Sequence, residues 1–175
     1  MNKVLLHICC GVCAFASIER LKGEGYTVKG FFYNPNIHPS GEYEKRREVL
    51  NIVRDSTGIE IIEGGYDPRE WFALCEHLKD EPEGGARCSI CYRMRLKETF
   101  LLSKKLKFDY FTTTLTISPH KKSRVIFDIG SQIGGDDFLA IDFKKKDGFK
   151  RTNELARKYN VYRQNYCGCV YSLRK

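Results

Sequence analysis

The chain has 175 residues, 42% hydrophobic and 30% charged, which is typical of a folded globular domain and excludes a disordered or fibrous protein. Its 30 basic and 22 acidic residues give a formal net charge of +8, which favours binding to polyanions such as nucleic acid. The sequence contains neither a run of about 18 apolar residues nor an apolar secretion signal, so we expect a cytoplasmic protein without a membrane partner.

Strand-like and helix-like patterns alternate along the whole chain, without an internal repeat or linker, which predicts a single domain over 1–175. In chain order the predicted elements are strand Lys3–Ile8, helix Ala14–Lys22, strand Thr27–Tyr33, helix Glu42–Ser56, strand Ile59–Ile62, helix Pro68–Leu78, helix Cys88–Leu106, strand Asp109–Thr114, helix Lys121–Ile133, strand Phe138–Ile141 and helix Gly148–Tyr159.

This alternation predicts an α/β fold with one parallel sheet and helices on both faces. Ligands of such sheets bind beyond the carboxyl ends of the strands, at the point where the strand order reverses. The loop after the first strand commonly lies there, and in this chain it reads CCGVC. The sequence therefore places cysteines where this architecture carries out chemistry.

Eight cysteines in a chain expected to be cytoplasmic favour metal ligands or redox thiols over structural disulfides. Cys75 stands alone in an amphipathic helical pattern and is interpreted as a buried small hydrophobe. The other seven form three groups, which are Cys9/Cys10/Cys13, Cys88/Cys91 and Cys167/Cys169.

Cys88 and Cys91 form a Cys-x-x-Cys pair at a predicted helix start, with both side chains on one helix face. Two further ligands can come from Cys9 and Cys10, whose diverging side chains suit two irons of one cluster better than a single zinc. A [4Fe-4S] cluster held by Cys9, Cys10, Cys88 and Cys91 follows as a hypothesis. A structural zinc site remains the alternative, because zinc and iron–sulfur sites share these ligands.

Cys167 and Cys169 form a Cys-Gly-Cys pair, whose spacing allows a strained, easily reduced disulfide. We interpret them as a redox-active pair that cycles between dithiol and disulfide. The alternative is that they are two more metal ligands. Cys13 is a candidate ligand of a second metal, or else a thiol that contacts the ligands without binding a metal itself.

Several other polar residues have more than one interpretation. His7, at a strand end, is expected to be a packed and hydrogen-bonded core residue, whereas His38 and His120 lie in loops and are expected at the surface. Ser118 resembles a helix cap that could equally contact a phosphate.

The stretches DFKKKDGFKR and YRQNYCGC place basic and aromatic residues near the last cysteines, a pattern that suits phosphate contacts and base stacking. For Lys144–Lys146 taken alone, a solvated lysine run is an equal alternative. The candidates for nucleic-acid binding are Lys121, Lys122, Arg124, Lys144, Lys145, Lys146 and Arg163.

Five stretches together resemble the epoxyqueuosine reductase family of the QueH type, in order over about 3–172. They are LHICCGVC, RCSICYRMRL, TTTLTISPHK, DFKKKDGF and YRQNYCGC. The resemblance implies that the chain reduces epoxyqueuosine at the wobble position of tRNA to queuosine, the last step of queuosine biosynthesis. It also implies a fold like the adenine nucleotide α-hydrolase-like (HUP) group, a [4Fe-4S] cluster, an additional iron for which Cys13 is a candidate, and an electron donor that the sequence does not identify.

Two other functions compete with this one. An ATP-dependent tRNA-modifying enzyme of the PP-loop type would share the fold, but its loop after the first strand needs glycine and serine around a phosphate. Cysteines occupy that loop here, which argues against nucleotide binding. A zinc-stabilised nucleic-acid-binding protein without catalysis is the second alternative.

Overall fold

The computed structural model describes residues 1–173, which contain one parallel sheet and the helices around it. The strands are β1 (Lys3–His7), β2 (Thr27–Phe32), β3 (Ile61–Glu63) and β4 (Tyr110–Thr113). The α-helices are α1 (Gly11–Gly23), α2 (Ser40–Thr57), α3 (Pro68–Cys75), α4 (Ala86–Lys105), α5 (Ser123–Gly134) and α6 (Gly148–Lys158). Short 3₁₀ turns cover Glu76–Leu78, Thr114–Ile117, Gly135–Asp137 and Val170–Ser172. Over this range, no helix has the combined length and apolarity that crossing a bilayer requires.

The strand order is β3-β2-β1-β4, with all neighbours parallel. The chain first builds outward from β1 to β2 and β3, and then returns to add β4 on the other side of β1. The strand order therefore reverses between β1 and β4, which are in register from Val4 opposite Tyr110 to His7 opposite Thr113. The carboxyl ends of these two strands mark the expected ligand site.

The sheet is covered on both faces, and β1 is buried throughout its apolar part. Leu6 belongs to the apolar cluster formed with α1, α2 and α6, whereas Leu5 belongs to the cluster formed with α4 and α5. Successive residues of a strand point to opposite faces, so two adjacent leucines serve two cores. This two-sided burial confirms the predicted parallel α/β sheet with helices on both faces.

Local chemistry explains where two of the helices begin and end. Asp67 caps α3, its carboxylate accepting from the backbone N–H of Arg69 at 3.0 Å, and Pro68 supplies the fixed φ of the first helical residue. Gly58 ends α2 in the left-handed conformation, with φ of 68°.

The predicted strand at Phe138–Ile141 is wrong, because only an isolated bridge between Phe111 and Phe138 forms there. The hydroxyl of Thr112 donates to the carbonyl of Leu139, and that of Thr116 donates to the carbonyl of Ile141, each at 2.8 Å. Side-chain hydroxyls therefore bind the backbone carbonyls that would otherwise accept hydrogen bonds from a neighbouring strand.

Some helix boundaries also differ from the sequence prediction. The helix α1 begins at Gly11, three residues earlier than predicted, and α5 begins at Ser123, two residues later. Ser118 does not cap α5, because its hydroxyl instead accepts from the backbone N–H of His120 at 3.3 Å in the preceding turn.

Candidate metal and redox centre

The turn between β1 and α1 carries three thiols. The backbone N–H of Cys9 donates to Thr114 Oγ1 at 3.0 Å, and that hydroxyl donates to Cys9 Sγ at 3.2 Å. Cys10 is the N-cap of α1, and its sulfur accepts from the backbone N–H of Cys13 at 3.4 Å. These thiols therefore lie at the sheet's switch point and at a helix N-terminus, where negative charge is favoured.

Gly11 allows this turn to pack closely against the neighbouring helix. A Cβ at this position would lie 2.4 Å from Cγ1 of Val49 in α2, closer than two carbon atoms can approach. Glycine at this position therefore has a packing role between α1 and α2.

The sulfur atoms of Cys9, Cys10 and Cys13 all lie within 4.8 Å of one another. The Cys10 and Cys13 sulfurs are 2.8 Å apart, and Gln164 Nε2 donates to Cys10 Sγ at 2.9 Å. Hydrogen bonds from Cys10 and Cys13 hold the pKa of Cys9 well below its usual value. The pKa of Cys13 is instead raised, by its hydrogen bond with Cys10 and by burial. Three close thiols, one of them readily ionised, fit the ligand set of a soft metal centre.

A second group of four cysteines lines a narrow pocket between α3, α4 and the end of the described chain; its members are Cys88, Cys91, Cys167 and Cys169. Cys88 lies in the first turn of α4 and accepts from the backbone N–H of Gly84 at 3.2 Å. Cys91 and Cys169 are buried against Trp71. The structure therefore brings the Cys88/Cys91 pair and the Cys167/Cys169 pair together in one pocket.

The cysteine-bearing segment near the C-terminus is attached to α2 by a buried arginine. Arg46 donates to the carbonyl of Cys167 at 3.1 Å and to that of Tyr166 at 3.0 Å. Its Nε also donates to Glu42 at 2.7 Å, and both side chains are buried. The sequence analysis did not identify this anchor, because an arginine four residues after a glutamate is also typical of a solvated helix surface.

The loop before α2 holds the same segment from the other side. The backbone N–H of His38 donates to the carbonyl of Gly168 at 2.8 Å, and the hydroxyl of Tyr166 donates to the carbonyl of His38. His38 is only 6% exposed, so its predicted surface position is wrong. Gly168 has φ of 114°, and a Cβ there would lie 3.0 Å from Ile37, so this position requires glycine.

Cys167 and Cys169 differ in acidity. A hydrogen bond from Cys169, supported by Ser172, lowers the pKa of Cys167 to about 5, although burial opposes this. The pKa of Cys169 is raised by the same hydrogen bond and by burial. All eight cysteines are free thiols, so the predicted disulfide is not formed in this structure. One thiolate beside one thiol is the starting state for thiol–disulfide chemistry.

The two thiol groups are neighbours, but their sulfur atoms are not all within the close spacing of the Cys9, Cys10 and Cys13 group. Cys9 and Cys88 pack against the same apolar cluster. The charge of Lys121 lowers the pKa of both Cys9 and Cys167. However, Cys9 and Cys10 are grouped with Cys13, and over residues 1–173 no set of three thiols at that spacing includes Cys88 or Cys91. The four-cysteine ligand set therefore stays a prediction.

Two buried arginines on α4 face the same pocket. Arg87 and Arg95 are 2% and 4% exposed, and both line the pocket with Cys88 and Cys91. Arg87 Nη1 donates to three backbone carbonyls, and Arg95 donates to the carbonyl of Cys91 and to Asn34 Oδ1, both at 3.3 Å. The sequence analysis did not identify them, because basic residues in a charged helix also suit a solvated surface.

The structure confirms two of the other sequence interpretations. His7 is fully buried between Thr113 Oγ1 at 2.9 Å and the carbonyl of Tyr33 at 3.1 Å, and burial lowers its pKa to about 4, so it is a neutral core residue. Cys75 is 0% exposed and packs beside Trp71.

The predicted nucleic-acid contacts fall into two groups. Lys121 lines the cysteine pocket, and Lys144 is half-buried, its Nζ donating to Thr116 O at 2.8 Å and to Ser123 Oγ at 2.6 Å. The exposed members are Lys122, Arg124, Lys145, Lys146 and Arg163. Their role as nucleic-acid contacts stays a prediction.

Two solved structures share this α/β architecture and so support the predicted fold class. The "predicted subunit of tRNA methyltransferase" from Methanocaldococcus jannaschii matches with a TM-score of 0.59 at 16% identity, covering 90% of this chain and 75% of that one. The U34-tRNA thiolase NcsA from Methanococcus maripaludis, solved with its [4Fe-4S] cluster, matches with a TM-score of 0.58 at 14% identity, covering 99% and 63%. At these identities the likeness shows the fold alone.

Sequence comparisons identify the family. The family model described as epoxyqueuosine reductase QueH matches residues 4–175. Proteins named epoxyqueuosine reductase QueH are 38% identical in Streptococcus pyogenes, covering 98% of this chain and 70% of that protein, and 36% identical in Thermotoga maritima, covering 99% and 91%. The chain therefore belongs to the QueH family of epoxyqueuosine reductases and is an oxidoreductase.

Proposed function

We propose that residues 1–175 act as one reductase domain that removes the epoxide oxygen of epoxyqueuosine in tRNA, using a [4Fe-4S] cluster and a redox-active dithiol. The observation that carries this proposal is a group of three thiols at the switch point of the sheet beside a pocket with four more thiols and two buried arginines. Opening an epoxide to an alkene requires two electrons, two protons and a route for the oxygen to leave as water. The following paragraphs assign these requirements to residues.

Cys9, Cys10, Cys88 and Cys91 are proposed to hold the cluster. Both pairs lie at helix N-termini, and α4 packs against β1, so the pairs approach the same end of the sheet. The donor set of soft thiolates beside buried cations fits an anionic iron–sulfur centre. When bound, such a cluster would transfer electrons one at a time, while the two electrons that the reaction consumes come from the dithiol proposed below. The [4Fe-4S] cluster of the U34-tRNA thiolase with the same fold is consistent with a cluster on this scaffold.

Cys13 is proposed to lie beside this centre as a ligand of the additional iron. Its sulfur is 2.8 Å from that of Cys10, which makes it part of the same thiol cluster. Its raised pKa means that a metal must displace its proton before it can act as a ligand.

Cys167 and Cys169 are proposed to supply the electron pair. Oxidation of two thiols to one disulfide releases two electrons and two protons, while the epoxide loses both C–O bonds and its oxygen leaves as water. The two half-reactions therefore balance without another reductant during one turnover. Arg46 and His38 hold the backbone of this pair, which keeps the thiols at the pocket. An unidentified electron donor must then reduce the disulfide.

The tRNA is proposed to bind across the exposed basic side chains near the pocket mouth. Lys121 lines the pocket itself, and Lys122 and Arg124 follow it at the exposed start of α5. Lys145, Lys146 and Arg163 extend the basic surface. Phosphate contacts of this kind position a nucleic acid without reading its sequence.

The test is conversion of epoxyqueuosine in tRNA by anaerobically purified protein with a chemical reductant, with nucleosides measured by mass spectrometry. We expect queuosine to form, and the Cys91→Ser variant to form none. Protein that retains iron, binds tRNA and still leaves epoxyqueuosine unchanged would contradict the proposed activity. Stoichiometric zinc together with tRNA binding and no turnover would favour a zinc-stabilised nucleic-acid-binding protein instead.

A further inference from the structure

Arg87 and Arg95 are buried cations without a carboxylate partner. Over residues 1–173 neither forms an ion pair, although a third buried arginine, Arg46, pairs with Glu42 at 2.7 Å. A guanidinium cannot lose its charge in a protein, and burying an unpaired charge is costly. Backbone carbonyls and the rings of Tyr171 and Tyr92 contact these two guanidinium groups, but none of them carries a full negative charge, so an anion in the pocket would balance the remaining charge.

The pocket supplies that partner only as sulfur. Its one carboxylate, Glu83, is exposed and lies outside ion-pair distance of both guanidinium groups. Arg87 and Arg95 flank Cys88 and Cys91 on α4, and residues at these spacings share one face of a helix. The helix thus presents two thiols between two positive charges.

Buried donors in the same wall lack acceptors as well. Arg87 Nε and the indole Nε1 of Trp71 are buried and have no hydrogen-bond partner within the described range. Both residues line the cysteine pocket, and Trp71 packs against Cys91 and Cys169. Such donors are normally satisfied, and charge and hydrogen bonds at sulfur are what set the potential of iron–sulfur centres.

We propose that Arg87 and Arg95 are positioning residues that balance the negative charge of the thiolate-ligated centre and raise its reduction potential. The inference rests on the proposed cluster. Reduction adds a negative charge, which a nearby buried cation stabilises. Removing either guanidinium therefore makes the centre harder to reduce, while the cysteines that hold it are unchanged.

The experiment is a dye-mediated redox titration of anaerobically purified protein, with iron content measured on the same samples. We expect Arg95→Met and Arg87→Met to shift the reduction potential to a more negative value, and Arg95→Lys to recover most of the Arg95→Met shift. The matched control is Arg93→Met, which removes the same charge from the exposed face of the same helix, where Arg93 donates to Gln132 at 2.6 Å. We expect this control to keep the wild-type potential.

The outcomes separate the two proposals. Wild-type iron content with the same potential in Arg95→Met and Arg93→Met overturns the role of the arginine and leaves the cluster intact. If Arg95→Met loses iron, its melting temperature is compared with that of iron-free wild-type protein. Equal values support charge balance, whereas a lower value in the variant shows a purely structural role and overturns the proposal. Wild-type protein without iron overturns the proposed cluster, and the inference with it.

Discussion

Replacing Arg46 by methionine tests whether the redox segment is held by a buried charge. Arg46 connects α2 to the carbonyls of Tyr166 and Cys167, about 120 residues away along the chain. The substitution removes these bonds and leaves the carboxylate of Glu42 buried. Among the described residues, the hydroxyl of Tyr162 is then the one side-chain donor to it, at 2.7 Å. The segment carrying the proposed dithiol then loses its attachment to α2 through Arg46 and keeps the one to His38.

The expected cost follows from the burial of the pair. The side chains of Arg46 and Glu42 are 2% and 8% exposed, and removing one partner of a buried ion pair costs about 3–5 kcal/mol. The double variant Arg46→Met, Glu42→Gln removes both charges, so it is expected to recover part of this loss. The adjacent Arg47 pairs with Glu63 at 2.5 Å but is 49% exposed, so Arg47→Met is a matched control with a much smaller effect.

Urea unfolding followed by tryptophan fluorescence measures these differences. The chain has one tryptophan, Trp71, which stacks on Tyr171 with ring centroids 5.8 Å apart and therefore reports on the same segment. We expect a clear drop in the free energy of unfolding for Arg46→Met. An unfolding curve equal to that of Arg47→Met would refute the reasoning, because the buried pair would then contribute no more than an exposed one.

Two further predictions concern the proposed chemistry and the tRNA contacts. The double variant Cys167→Ser, Cys169→Ser is expected to keep its visible spectrum and tRNA binding but to lose multiple turnover. Full steady-state activity with a thiol reductant would refute the dithiol role. Loss of iron would instead show that these residues are metal ligands. Lys145→Met is expected to lower the slope of log tRNA affinity against log salt concentration by about 0.7–0.9. Lys144→Met is expected to leave that slope unchanged and to lower the melting temperature, because Lys144 Nζ already donates to Thr116 and Ser123. Equal slopes for the two lysine variants would contradict this distinction.

The sheet and most helices could be predicted because their apolar periodicity is local. The position of the cysteine loop followed as well, since in parallel α/β folds the loop after the first strand commonly reaches the switch point. The strand predicted at Phe138–Ile141 failed because Thr112 and Thr116, which lie about 25 residues away, bond the carbonyls that a ladder would use.

The support of the site could not be predicted, because it depends on contacts between distant parts of the chain. His38 is buried by the segment around Gly168, about 130 residues later. Arg87 and Arg95 occur in a helix with many charged residues, and their inward orientation is set by packing against α3 and β1. Composition and spacing identify the thiols, but they do not identify which charges surround them.

The most direct test of the proposed centre is an iron and sulfide count with a visible spectrum, on wild-type protein and the Cys88→Ala variant purified without oxygen. We expect brown wild-type protein with about four sulfides and about four irons per chain from a [4Fe-4S] cluster, and about one more iron where the additional site proposed at Cys13 is filled. Cys88→Ala should lose the colour and the iron. Colourless wild-type protein with stoichiometric zinc would contradict the iron–sulfur assignment.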